Sequence, residues 1–249
     1  MVEPMLRLEG LTKSFGALRV SDDVTLDVRA GELHALIGPN GAGKTSLIHQ
    51  ASGSLAPDWG RIIFAGEDVT ALPMYARAGR GLARTFQITT LLGRFSVLEN
   101  AALAAQSRSG SSFSLFGGAA REERLNREAV QSLAAVGLAE RAGVEAGALS
   151  HGEKRGLELA IALTLKPKLL LLDEPMAGAG IQESAVLVET LRRLKGQYAI
   201  LLVEHDMQAV FALADRVSVM VNGRIIATGD PATVRADARV REAYLGEAA

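Results

Sequence analysis

The chain has 249 residues, enough for one large domain or two small ones, and 48% of them are hydrophobic, which is enough for a substantial core. Its 27 lysines and arginines balance 28 aspartates and glutamates, and the formal net charge of -1 argues against a broad, non-specific nucleic-acid binder. The absence of cysteine excludes disulfides, thiolate zinc sites and cysteine nucleophiles.

No targeting or spanning segment is evident in the sequence. The first residues, "MVEPMLRLEG", contain acids and a proline where a secretory signal needs an apolar run. No run reaches the roughly 18 apolar residues that a spanning helix needs. We therefore expect a cytoplasmic protein.

Turn residues separate short strand-like segments in the first 70 residues. "MLRLEGLTKSFG" alternates apolar and polar positions up to Gly16, and "VTLDVRAGELHALIGPN" predicts two strands joined by a turn at Ala30-Gly31. "KTSLIHQASG" predicts a helix that ends at Gly53. "APDWGRIIFAGEDVT" predicts a turn followed by a short strand.

Between about residues 91 and 165 the pattern becomes helical. Three helices are predicted, in "FSVLENAALAAQ", "REERLNREAVQSLAAVGL" and "GEKRGLELAIALTL". Ser96 with Glu99, and Ser150 with Glu153, have the S-x-x-E spacing of a capping box at a helix start. The Gly/Ser-rich "SRSGSSFSLFGGAA" predicts a loop between the first two of these helices.

The last third of the chain alternates strands and helices. "KLLLLDEP" and "YAILLVEHD" predict buried strands, and "IQESAVLVETLRRLKG" and "MQAVFALAD" predict the helices that follow them. "RVSVMVNGRIIATG" predicts a hairpin that turns on Asn222-Gly223, a favourable type I′ pair. Apolar strands that alternate with helices indicate a buried parallel sheet, so we predict an α/β core that contains a helical insertion.

The stretch "GPNGAGKT" fits the P-loop pattern G-x-x-x-x-G-K-T and lies between a predicted strand and a predicted helix. Glycines let backbone amides turn toward phosphate oxygens, and the helix N-terminus adds partial positive charge. Lys44 can reach the β- and γ-phosphates, and the Thr45 hydroxyl can bind Mg²⁺. A glycine-rich turn that ends in Lys-Thr by chance is the alternative. The predicted phosphate-binding residues are Gly38, Pro39, Asn40, Gly41, Ala42, Gly43, Lys44 and Thr45.

Two acids follow a buried strand in "LLLLDEP". In open α/β sheets ligands bind at such strand ends. Asp173 is placed to hold Mg²⁺, directly or through water, and Glu174 to orient or deprotonate a water that attacks phosphorus. The alternative is a pair of turn acids without a catalytic role.

Three further features complete a set of motifs. Gln87 lies in "RTFQ", the stretch "LSHGEKRG" (hereafter the signature) lies about 20 residues before Asp173, and His205 lies in "VEHD". In order and spacing, the five motifs resemble the ATP-binding subunit of ABC transporters over essentially the whole chain. The resemblance implies the ABC ATPase fold, in which a P-loop core with a parallel sheet carries an N-terminal antiparallel β region. It also implies one domain, residues 4–249, with a helical subdomain inserted at about 91–165.

The resemblance implies a role for each motif. Phe15 would stack on adenine, with a simple core phenylalanine as the alternative. Gln87 would sense Mg²⁺ and the attacking water and would connect to the membrane partner. His205 would contact the γ-phosphate, although a histidine at a strand end is more often structural. Ser150 and Gly152 would contact the ATP held by the P-loop of a partner subunit.

These roles give two predicted sets of residues. The predicted catalytic residues are Lys44, Gln87, Glu174 and His205. The predicted Mg²⁺ ligands are Thr45, Gln87 and Asp173.

Two features depart from the usual family pattern. The usual signature is Leu-Ser-Gly-Gly-Gln, and here His151 replaces the first glycine and Glu153 the glutamine. The segment "MAGAG", at 176–180, lacks the aspartate of the usual Ser-Ala-Leu-Asp. The second departure puts the usual contact of that aspartate across the subunit interface in doubt.

Several stretches resemble one branch of the family, the uptake ATPases for branched-chain amino acids. These are "LSHGEKR", "EPMAGAG" and the tail "VREAYLGE". The resemblance implies an ATPase that uses ATP and Mg²⁺ on the inner face of the cell membrane. Its partners would be a second ABC ATPase subunit, identical or different, two permease subunits and, indirectly, a periplasmic solute-binding protein.

Other functions stay open at this point. Near relatives import urea, short amides or small carboxylates, and an ABC subunit for export would have the same cassette. Outside transport, the alternatives are a soluble ATPase that remodels nucleic acid or translation factors, and a non-catalytic nucleotide-binding regulator.

Overall fold

The computed structural model of the protein describes residues 3–85, 91–108 and 119–245. The strands are β1 (Leu6–Phe15), β2 (Leu18–Val28), β3 (Leu33–Ile37), β4 (Trp59–Phe64), β5 (Glu67–Asp68), β6 (Leu82–Arg84), β7 (Leu169–Asp173), β8 (Ala199–Val203), β9 (Arg216–Val221) and β10 (Arg224–Gly229). The helices are α1 (Lys44–Ser52), α2 (Met74–Gly79), α3 (Val97–Arg108), α4 (Ala119–Ala135), α5 (His151–Thr164), α6 (Ile181–Leu194), α7 (Met207–Leu213), α8 (Pro231–Ala236) and α9 (Ala238–Leu245).

Six strands form a central sheet in the order β10-β9-β3-β8-β7-β6. Every neighbouring pair from β9 to β6 is parallel, and β10 adds an antiparallel edge. In the register of the sheet, Val203 lies opposite Leu36 on one side and opposite Asp173 on the other. Because these strands are parallel and in register, the segments that follow β3, β7 and β8 leave the sheet at one edge.

Apolar layers cover both faces of the central strands. All residues of β3, β7 and β8 are buried. Leu169 and Leu171 pack in one core with α1 and the N-terminal strands, whereas Leu170 and Leu172 pack in a second core with helices α3 to α7. A strand that is buried on both faces has no polar face, which explains the uninterrupted "LLLL" of β7.

Four strands form a second, antiparallel sheet in the order β2-β1-β4-β5. The fold class predicted from the sequence, an α/β core with a parallel sheet and an N-terminal antiparallel β region, is confirmed. Helices α3, α4 and α5 pack on one another within the predicted helical segment.

Both predicted capping boxes are formed. The Ser150 hydroxyl accepts a hydrogen bond from the Glu153 amide at 3.2 Å, and the Ser150 amide donates to Glu153 Oε2 at 2.8 Å. Ser96 and Glu99 form the same reciprocal pair. The hairpin between β9 and β10 turns at Asn222-Gly223, with φ of 47° and 80°, as a type I′ turn requires.

Some elements were missed or fall outside the described residues. Helices α2, α8 and α9 and strand β6 were not predicted from the sequence. The predicted Gly/Ser-rich loop lies largely outside the described residues, although its ends belong to α3 and α4. Within the described ranges, no helix is long and apolar enough to cross a membrane.

Candidate nucleotide-binding site

The P-loop, residues 38–45, connects β3 to α1 at the edge where the parallel strands end. Gly43 has φ of 104°, and a Cβ atom built on it would lie 2.1 Å from the carbonyl oxygen of Val20. A Cβ atom on Gly38 would lie 2.0 Å from the carbonyl oxygen of Met220. Both contacts are with backbone atoms, which cannot move aside as a side chain can. The loop therefore requires glycine at these two positions.

The β9–β10 turn is joined to the P-loop by a backbone hydrogen bond. The Gly223 amide donates to the Ala42 carbonyl at 2.9 Å, and the Gly223 carbonyl accepts from the Asp22 amide at 2.8 Å. These bonds tie the loop to β2 through the hairpin. The turn at Asn222-Gly223 is predictable from the sequence, but this contact is not, because it joins residues far apart in the chain.

The side chain of Lys44 folds back over the P-loop. Its ammonium donates to the carbonyl oxygens of Gly38 at 2.6 Å and Pro39 at 2.9 Å, and the residue is buried. Thr45 lies in the first turn of α1, partly buried. A cation and a hydroxyl therefore lie at the start of a helix, where the first backbone amides have no acceptor within the helix itself, a suitable geometry for phosphate.

Asp173 ends β7 and is buried beside a cation that the sequence analysis missed. Arg84, at the end of β6, donates from Nη2 to Asp173 Oδ2 at 3.3 Å, and both side chains are buried. Asp173 Oδ1 is buried and has no hydrogen-bond partner among the described residues. In the sequence, Arg84 stands out only as the first residue of "RTFQ".

The environment of Asp173 suits a further cation. Burial raises the pKa of Asp173 above its ordinary value, and the guanidinium of Arg84 offsets this only in part. The Glu174 carboxylate raises the same pKa, and the ammonium of Lys44 lowers it. A buried carboxylate with one oxygen available, at the same sheet edge as the P-loop and Thr45, offers oxygen ligands of the kind that Mg²⁺ prefers.

A buried carboxylate fixes the segments that carry Glu174 and His205. Glu174 has φ of 48°, a strained conformation for this residue type, and its amide donates to the Val203 carbonyl at 2.9 Å. Glu204 is fully buried and accepts from the amides of Met176 at 2.9 Å and His205 at 3.0 Å. Glu204 therefore links the end of β8 to the loop after the paired acids. Its only sequence signal was its position next to His205.

The side chain of His205 lies largely in solvent. It is 61% exposed, and Nδ1 lies 3.7 Å from the Glu204 carboxylate. His205 is therefore not a buried core histidine. His34 fits that description instead, since it is buried between the Asp27 carbonyl and the Ser218 hydroxyl, and burial lowers its pKa to about 4.

Phe15 lies at the end of β1 with 53% of its surface exposed. The alternative that it is a core phenylalanine is therefore wrong. The ammonium of Lys13 lies 5.7 Å from the centre of its ring. An exposed aromatic ring at the end of a strand of the antiparallel sheet is available to a planar ligand.

The signature and the segment "MAGAG" contact each other. Ser150 caps α5, and its hydroxyl donates to Glu183 Oε1 at 2.8 Å. The Gly152 amide donates to the same oxygen at 3.1 Å. His151 Nε2 lies 3.1 Å from the Ala177 carbonyl, a distance at which its N–H tautomer donates a hydrogen bond. The two departures from the family pattern therefore meet in the folded chain.

One predicted site residue lies outside the described residues, namely Gln87. The other predicted residues of the P-loop, the paired acids and His205 lie at or beside the carboxyl edge of the central sheet. Ser150 and Gly152 lie apart from them, at the start of α5, where their described side-chain partners are Glu153 and Glu183.

Comparisons with known proteins show the family to which the chain is similar. Residues 21–177 match the family described as "ABC transporter", and residues 224–249 match the one described as "Branched-chain amino acid ATP-binding cassette transporter". The chain is 36% identical to the high-affinity branched-chain amino acid transport ATP-binding protein LivG of Escherichia coli, over the full length of both. It is 34% identical to the lipopolysaccharide export system ATP-binding protein LptB of the same species, over 97% of each chain.

A solved structure gives the same result for the fold. The ADP conformation of MJ1267, an ATP-binding cassette of an ABC transporter, superposes with a TM-score of 0.87 at 31% sequence identity. The match covers 98% of this chain and 99% of the other.

The buried pair of Arg84 and Asp173 generates a stability prediction. Arg84→Met removes the cation and leaves a carboxylate in an apolar interior, so we expect the free energy of unfolding to fall by about 3 kcal/mol in urea denaturation. The matched control is the double variant Arg84→Met/Asp173→Leu, which removes both charges and should lie within about 1 kcal/mol of the parent. Equal stability losses in the single and double variants would contradict the pairing.

Proposed function

The chain belongs to the ATP-binding subunits of ABC transporters and is an ATPase of that family, and we propose that it energises the import of branched-chain amino acids. The observation that carries the proposed cargo is the match of residues 224–249 to the branched-chain amino acid cassettes. Full-length identity to LivG supports it, although the identity to the export protein LptB is nearly as high. The alternative cargoes are urea, short amides and small carboxylates.

ATP would bind along the carboxyl edge of the central sheet. The P-loop amides and the start of α1 would hold the phosphates, and Phe15 would stack on adenine. Lys44 would exchange its hydrogen bonds to Gly38 and Pro39 for the β- and γ-phosphates. Because the ammonium already lies on the loop, this exchange needs only a change of side-chain rotamer.

Mg²⁺ would be held by Thr45 and Asp173, with Gln87 as a further ligand. When bound, the ion would neutralise the charge that develops on the phosphate oxygens. Asp173 Oδ1, the buried oxygen without a partner among the described residues, supports this assignment. Arg84 would hold the other carboxylate oxygen and fix the orientation of the ligand.

Hydrolysis would depend on Glu174 as the general base. Its carboxylate follows Asp173 directly and would take a proton from the water that attacks the γ-phosphorus. His205, with its exposed ring, would contact the γ-phosphate. Glu204 would keep these two residues in fixed relation, because it binds the backbone on both sides of the site.

Each ATP site would be completed by a second ABC ATPase subunit, either a copy of this chain or a different one. Ser150 and Gly152 would contact the γ-phosphate bound to the partner subunit, with a helix start behind them. Closure of the pair would drive two membrane permease subunits, to which a periplasmic binding protein delivers the solute. The chain would therefore work on the inner face of the cell membrane, held there by the permease.

Glu174→Gln tests the proposed general base. In the transporter assembled in proteoliposomes, we expect kcat for ATP to fall by about 1,000-fold because proton transfer is lost. ATP binding, measured by equilibrium titration, should stay unchanged. Glu189→Gln, an exposed glutamate that pairs with Arg192, is the matched control and should retain activity. Normal turnover by the Glu174→Gln transporter would refute the role of Glu174.

Uptake assays in cells test the proposed cargo. Deletion of the gene should abolish high-affinity uptake of radiolabelled leucine, isoleucine and valine, and the intact gene should restore it while the Glu174→Gln allele should not. Urea, acetamide and small carboxylates serve as controls. Unchanged uptake of branched-chain amino acids, together with lost uptake of one of the control solutes, would show that the chain serves that alternative cargo.

A further inference from the structure

Glu183 occupies the donors of the signature within a single chain. Its Oε1 atom accepts from the Ser150 hydroxyl at 2.8 Å and from the Gly152 amide at 3.1 Å. Its Oε2 atom accepts from the Gly180 amide at 3.2 Å, at the start of its own helix, α6. One carboxylate thus joins the start of α5 to the start of α6.

The start of α5 is shaped to admit this side chain. A Cβ atom on Gly152 would lie 2.6 Å from both Cβ and Cδ of Glu183, so only glycine leaves room for it. The hydrogen bond from Ser150, those from the amides of Gly180 and Gly152, and the nearby His151 lower the pKa of Glu183. The carboxylate is therefore charged at neutral pH and behaves as an anion bound by the signature.

This contact conflicts with the proposed use of the signature. The Ser150 hydroxyl has one hydrogen and the Gly152 amide has one, and both now point to Glu183. A γ-phosphate that takes these donors must displace the carboxylate, because two anions at hydrogen-bond distance from the same donors repel each other. Glu183 is half-buried and lies in the first turn of α6, so its side chain can rotate into solvent.

We propose that Glu183 sets the ATP concentration at which the two subunits pair, by holding the signature donors until the γ-phosphate of the partner's nucleotide replaces it. This inference rests on the proposed split site and adds a residue to it. Closure of the pair exchanges one bound anion for another. Glu183 thereby keeps the signature ordered in the separated chain. The partner's nucleotide must displace the Glu183 carboxylate to bind there.

Glu183→Gln in the assembled transporter tests the inference, because glutamine retains the shape and loses the charge. We expect the ATP concentration at half-maximal hydrolysis to fall about tenfold, since hydrogen bonds to an ionised acceptor are roughly twice as strong as neutral ones. The kcat should stay within about twofold of the parent. Glu183→Ala should shift the half-maximal concentration in the same direction.

The control and the contrary results separate two kinds of failure. Glu189→Gln makes the same charge change on the same helix, away from the signature, and should leave the half-maximal ATP concentration unchanged. An unchanged or higher value for both Glu183 variants would overturn the inference and indicate a merely structural contact. Parental ATP dependence in a Ser150→Ala transporter would instead refute the split site, and the role of Glu183 with it.

Discussion

The parallel pairing of β3, β8 and β7 is the constraint on which the rest of the site depends. Because Val203 lies opposite both Leu36 and Asp173, three chain segments leave the sheet at the same height. The P-loop follows the first strand, Glu174 the second and Glu204 with His205 the third. Hydrogen bonds between fully buried strands hold this alignment, so the site inherits the rigidity of the core.

Hydrogen bonds of buried charges and of the backbone then position the segments at the carboxyl edge of the central sheet. Glu204 binds the amide of Met176, the β9–β10 turn binds the P-loop carbonyl of Ala42, and Arg84 binds Asp173. Each joins segments that are distant in sequence. At the start of α5, the signature is positioned in a comparable way, by the hydrogen bonds of Glu183 and His151. In the proposed split site, the P-loop edge would hold the chain's own nucleotide and the signature would contact the partner's.

Local chemistry explains why most of the architecture could be predicted. The apolar run of β7, the capping box at Ser150 and the type I′ turn at Asn222-Gly223 each depend on a few neighbouring residues. The three-residue strand β6 has no such signal, since it forms only because β7 offers an edge to pair with. The short helices α2 and α8, six residues each, likewise depend on tertiary packing.

The site was predicted less completely for the same reason. Motif residues can be recognised by their spacing in the sequence. Arg84 and Asp173, however, are 89 positions apart in the sequence, and Glu183 and Ser150 are 33 positions apart. Nothing local in "RTFQ" or "IQES" indicates those contacts. In the sequence, the replaced glycine at His151 and the missing aspartate in "MAGAG" are separate departures from the family pattern. The fold brings both regions together, where a glutamate occupies the donors of the signature.

A structure of the assembled Glu174→Gln transporter with Mg²⁺ and ATP would show whether each nucleotide site is completed by the other subunit. A split site predicts that Ser150 Oγ and the Gly152 amide lie within hydrogen-bond distance, about 2.7–3.2 Å, of the γ-phosphate bound to the partner subunit. It also predicts that the Glu183 carboxylate has left both donors. A closed pair in which Glu183 still holds Ser150 and Gly152, with the γ-phosphate bound by one subunit alone, would contradict it.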